Sequence, residues 1–185
     1  MPDSDHRLLR ITRISRVIAT LCGVLFVIFP LGLAALCFFG ETFLAMQNTA
    51  QQMGVRAEDI SLLAKTAAYG AIMVQTAPLL LALWALRCLF AGYATGAVFT
   101  MDAARQLKRV ALALISTVIV RPLGVGLFSL ALSIDTVKTP GGQGHLIFMF
   151  GSTEVLIGLA GGMVLVTAWV MGEAAALAEE NRSFV

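Results

Sequence analysis

The sequence predicts an all-α fold: a four-helix transmembrane bundle with both termini cytoplasmic. Three observations lead there. Of 185 residues, 58% are hydrophobic and only 13% charged, with a mean hydropathy of +0.87. A soluble domain of this size is closer to half apolar and a quarter charged. The apolar residues fall in four long runs, about 17–39, 67–90, 110–134 and 146–171. Each reaches the ~20 residues a helix needs to cross a ~30 Å hydrocarbon core. The charges cluster at the ends of those runs. Backbone groups in lipid must be bonded internally, which leaves helices or closed barrels. Barrel strands would be ~10 residues long and alternate apolar with polar, and these runs do neither.

The first run follows basic residues, as a secretory signal does, but its apolar core is too long for one. It reads as an uncleaved anchor, with the residues before Thr12 as a basic interfacial extension of its helix. Residues 41–66 form a wet loop with a short helix expected around Ala57 to Lys65. The second run ends in an aromatic and glycine segment from Gly92 onward. There Gly96 permits a tight turn, and Thr100 is placed to cap a helix carrying Asp102 in its first turn. That helix should continue unbroken into the third run. Pro140-Gly141-Gly142 break the chain between the third and fourth runs. Residues 172–185 form a cytoplasmic tail, and the whole chain is one integral membrane domain.

Orientation follows from lysine and arginine in the short connections. One side carries nine: Arg7, Arg10, Arg13, Arg16, Arg87, Arg105, Lys108, Arg109 and Arg182. The other carries three: Arg56, Lys65 and Lys138. The richer side is the cytoplasmic one, so the chain is expected in a cell (inner) membrane with both ends inside. A net charge of +2 gives no argument for nucleic acid.

Two charged residues lie deep within spans, away from their ends. Arg121 is about twelve residues into the third run and Glu154 about eight into the fourth. A charge at mid-bilayer costs about 3 kcal/mol on insertion scales, so the two should pair. Gln75 in the second run is at a similar depth to Glu154. The three form an expected polar cluster, readable as a structural salt bridge or as a substrate, ion or proton site. Pro30, Pro78 and Pro122 fall near the middle of the first three runs and should kink them. Gly158-x-x-x-Gly162, with Gly161 beside it, is a close-packing pattern that serves either the bundle or a homo-oligomer.

Catalytic sets are not legible. His6 and His145 are the two histidines, and no H-E-x-x-H, phosphate loop or G-x-S-x-G is present. Cys22, Cys37 and Cys88 lie inside apolar runs and make no metal or disulfide pattern. The expectation is therefore no enzyme, no metal and no cofactor.

Two remaining motifs are not dictated by membrane insertion. One is Tyr93-x-x-Gly96-x-Val98-Phe99-Thr100 with Leu107-Lys108-Arg109, and the other is the acidic end, Glu173 through Glu179-Glu180-Asn181-Arg182-Ser183-Phe184-Val185. With four spans in under 200 residues, they resemble bacterial membrane proteins grouped as domain of unknown function 2975. Those carry a Tyr-x-x-Gly-x-x-Phe-Thr segment after the second span and close on an acidic helix ending in Glu-Asn or Glu-Asp. Phe184 departs from the more usual threonine. The resemblance covers nearly the whole chain and implies no established activity; neighbouring helix-turn-helix regulators hint at signalling. Glu179 and Glu180 on the tail should pair with Arg105, Lys108 or Arg109, with apolar contacts from Phe99, Leu107, Leu177 and Phe184 completing the docking. The function expected is a non-enzymatic binding or regulatory component, in contact with the bilayer and with a cytoplasmic protein partner. The alternative is a small transporter or channel component using Gln75, Arg121 and Glu154.

Overall fold

The computed structural model describes residues 2–39, 61–96, 100–136 and 150–183, together with Leu146 and Phe148. They form four long helices: α1 (Pro2–Phe39), α2 (Leu62–Ala94), α3 (Met101–Thr136) and α4 (Ser152–Ser183). All four contain stretches long and apolar enough to cross a membrane. The protein is an integral membrane protein with four membrane-spanning helices, and their exposed leucines, valines and isoleucines are the surface that lipid covers. The expected interfacial extension of the first span is helical from Pro2, continuous with the span itself. The wet loop, the Pro140-Gly141-Gly142 turn, Phe99 and Phe184 lie outside the described residues.

The contacts divide the chain into two compact units. One comprises Met1–Val27, Pro78–Ser116 and Val155–Val185; the other comprises Ile28–Ala77 and Thr117–Glu154. Each helix contributes a segment to both.

The second of these units has a core of Cys37, Ala64, Ala68, Ala71, Ile72, Phe128, Ala131 and Leu132. Lipid is as apolar as leucine, so helices associate by close packing instead of by escaping water. Alanine meets that demand. On α2 the buried residues of this unit, Ala64, Ala68, Ala71 and Ile72, recur at i, i+4, i+7 and i+8, one face of the helix. Around this core Tyr69 donates its hydroxyl to the Pro30 carbonyl at 3.4 Å and its ring packs on Phe38, 6.0 Å between centroids.

In the first unit Gly161 of α4 sits against α3. A Cβ there would come within 2.9 Å of the Ile115 side chain and 3.0 Å of its backbone nitrogen. The glycine pattern read from the sequence is Gly158-x-x-x-Gly162 with Gly161 beside it, and nothing lies within 4 Å of a Cβ at Gly162. Four small residues in the five positions 158–162 leave the helix phase open, and the close approach to α3 is made at Gly161.

Two helix starts are written in the sequence. Ser61 caps α2 through its hydroxyl, which accepts from Ala64 N–H at 3.3 Å. The short helix expected around Ala57 to Lys65 is corrected accordingly. Lys65 belongs to the first turn of α2, and Ala57 to Ile60 lie outside the described residues. Thr100 caps α3 as expected: its hydroxyl accepts from Ala103 N–H at 3.2 Å, and its carbonyl from Ala104 N–H at 3.1 Å. α3 then runs unbroken from Met101 through the third span. Gly96 has φ +86°, a left-handed conformation open to glycine at no steric cost. It follows a tightened last turn in which Gly96 N–H reaches the Tyr93 carbonyl at 3.1 Å.

The fourth span departs from expectation. It begins at Ser152, and Leu146, Phe148, Phe150 and Gly151 are not helical. Hydropathy measures transfer into lipid and carries no information on backbone conformation, so an apolar non-helical stretch reads as helix. The start signal is Gly151 followed three residues later by Glu154, the glutamate half of a capping box.

Candidate functional site: an intramembrane ion pair and a cleft at the α2–α3 connection

Glu154 sits in the first turn of α4, not eight residues inside it. One carboxylate oxygen, Oε2, accepts from the Gly151 backbone N–H at 2.9 Å. That satisfies a donor the helix start would otherwise leave open, and a negative charge suits the positive end of the helix dipole. The other oxygen, Oε1, lies 2.8 Å from Nη1 of Arg121 on α3. The Glu154 side chain is 9% exposed and that of Arg121 40%. The pair expected from two lone charges on adjacent spans is formed, and the late start of α4 brings the partners together.

Gln75 meets α3 one turn from Arg121. A Cβ on Gly124 would lie 2.5 Å from the Gln75 Cβ and 2.9 Å from its Cα, so only glycine permits this approach of the two backbones. No hydrogen bond joins Gln75 to Arg121 or Glu154 among the described residues. Gln75 lines the same helix contact and is not a member of the ion pair. Counted along α2, Gln75 is ten residues, about 15 Å, from Lys65, half the thickness of a hydrocarbon core. Hence the ion pair and the beginning of α4 lie near mid-depth. Beside them the Phe148 ring packs where a Cβ on Gly126 would stand, 2.8 Å from Cε1.

The second feature is the α2–α3 connection. Cys88, Leu89 and Gly92 of α2 and Thr100, Asp102 and Gln106 from the start of α3 line a cleft of about 320 Å³. Tyr93 stands beside it, its ring edge-on to Phe90 at 5.8 Å. Arg105 is held by Asp102 at 3.0 Å, and Arg109 by Gln106 at 3.3 Å, each three residues back on α3. Of the two glutamates expected to pair with Arg105, Lys108 or Arg109, Glu179 makes no such ion pair among the described residues. α4 continues as one helix to Ser183 instead of folding back, and a partner on the same helix is reached without ordering a second segment. Asn181 lies on the last turn of that helix. Of the motif residues, Tyr93, Gly96 and Thr100 therefore gather at the connection, while Glu179, Glu180 and Asn181 belong to the end of α4.

Fold and site define a four-helix, multi-pass membrane protein with a satisfied intramembrane ion pair. The chain belongs to the family described as Protein of unknown function (DUF2975), whose profile matches residues 48–184. No curated protein and no solved structure matches it.

Proposed function

We propose that this protein is a non-enzymatic binding or regulatory component of a bacterial inner membrane, with its termini and the α2–α3 connection facing the cytoplasm. The observation that carries the proposal is the cleft at that connection, built on a capped helix start and a left-handed glycine. Precise local structure of that kind exceeds what membrane insertion requires. The nine-to-three asymmetry of basic residues supports a cytoplasmic side for this end. A photoreactive residue at Gln106 should give a discrete protein adduct in native membranes, and one at the lipid-exposed Leu159 should not. Equal labelling at both positions, or none at Gln106, would refute the reading.

A second reading, a small transporter or channel component, has one observation in its favour. α4 begins near mid-membrane, and helices that start inside the bilayer recur at transporter binding sites. On that reading the doubly substituted Arg121→Leu/Glu154→Leu protein folds but loses activity. On the first it folds and keeps its partner. Contact with a second copy of the chain would run through the open side of α4 at Gly162, and Gly162→Cys crosslinking in membranes reports on it.

A further inference from the structure

Arg87 is exposed near the end of α2. Its guanidinium lies over the face of Trp84, 5.4 Å from the ring centroid. Trp84 in turn packs on Phe26 of α1, 5.6 Å between centroids. The arginine's flank rests on Gly23: a Cβ there would stand 3.3 Å from Nε. So an aromatic face and a bare stretch of backbone hold this side chain in place. No acidic side chain pairs with it among the described residues. Twenty-two residues, about 33 Å of helix, separate Arg87 from Lys65, which sets the two at opposite edges of a ~30 Å hydrocarbon core. Arg16 is exposed seven residues before Gly23 and on the same face of α1, about 10 Å further out. Val24, Leu25, Leu81 and Trp84 around the site are themselves exposed, an apolar wall of the kind acyl chains cover.

An oriented guanidinium with no carboxylate partner among the described residues, at the depth of lipid phosphates and beside an acyl-chain surface, suits an anionic headgroup as counter-ion. We propose that Arg87, seated on Gly23 and Trp84, binds the phosphate of an anionic phospholipid, with Arg16 adding to the attraction from further out. A guanidinium offers two parallel N–H donors to two phosphate oxygens, which a point-charge lysine cannot match.

Trp84 makes the site observable. The chain has two tryptophans, so Trp169→Phe leaves Trp84 as the sole reporter. In phosphatidylcholine bilayers, brominated phosphatidylglycerol should quench Trp84 more than brominated phosphatidylcholine does at equal mole fraction. The expected preference is about fivefold in relative binding, the scale of one basic residue at an anionic surface. Arg87→Gln should bring it to unity, Arg87→Lys should leave part of it, and Gly23→Leu, which displaces the arginine, should act like Arg87→Gln. Lys108→Gln should change nothing. Equal quenching by the two lipids, or a preference that survives Arg87→Gln in a protein of unchanged melting temperature, overturns the proposal. So does loss of the preference on adding millimolar inorganic phosphate at constant ionic strength, which would assign the site to free phosphate.

Discussion

In the unit that contains Arg121 and Glu154, both carboxylate oxygens are engaged, one by a guanidinium and one by a backbone N–H. In the unit that contains Arg87 and Arg105, the charged groups stand at the surface: Arg105 and Asp102 pair with side chains 68% and 84% exposed, and Arg87 rests on an aromatic ring. The difference follows from the solvent. Inside hydrocarbon an unanswered charge costs more than the protein can spare, so the sequence places its answer next to it. At the membrane edge a charge is solvated, a pair is worth ~0–1 kcal/mol, and the group remains available to something outside the chain. Polarity within the spans is thus read here as architecture, and polarity at the edge as recognition.

The strongest way to break that contrast is to remove Arg121. Arg121→Leu strands a nearly buried carboxylate and should cost about 2–4 kcal/mol, somewhat below the figure for a fully buried pair because Arg121 is partly exposed. The readout is detergent melting temperature. Next comes Gly124→Ala. Its methyl would overlap the Gln75 backbone, which cannot move aside as a flexible side-chain tip can, so overpacking of about 1–3 kcal/mol is expected. Gly161→Ala should cost a comparable amount against Ile115, whereas Gly162→Ala should be neutral or slightly stabilising, since alanine favours helix by up to about 1 kcal/mol over glycine. If the two alanine variants melt alike, the helix phase described here is wrong. At the membrane edge effects shrink. Thr100→Ala should cost about 1 kcal/mol locally, read as faster amide exchange at Ala103 and Ala104 with little change in global melting. Arg105→Ala, which breaks only an exposed pair with Asp102, should shift stability by under about 0.5 kcal/mol.

Much of this was legible from residues alone, and the exceptions have physical causes. The four spans and the Arg121–Glu154 pairing rest on the high cost of unanswered polar groups in hydrocarbon, and the Thr100 cap and the Gly96 turn on specific local backbone rules. The start of α4 was not legible from hydropathy, because Leu146 to Phe150 are as apolar as any helix here. Gly151 and Glu154 did carry the signal, masked by the apolar run. Gly161 could not be told from Gly162 because composition fixes no rotation about a helix axis. Gln75 shared a depth with the ion pair, but its contact is to Gly124; depth alone does not say which way a side chain faces.

The claim that the intramembrane pair is architectural is tested most directly by a double-mutant cycle on Arg121→Leu and Glu154→Leu, followed by thermal melting. Glu154→Leu also loses the bond to Gly151, but that loss occurs with and without Arg121 and cancels from the coupling. The expected result is a double mutant milder than the sum of the singles by about 1–3 kcal/mol, because no stranded charge remains. Strict additivity would contradict it, and would mean that Arg121 and Glu154 do not stabilise each other where they meet.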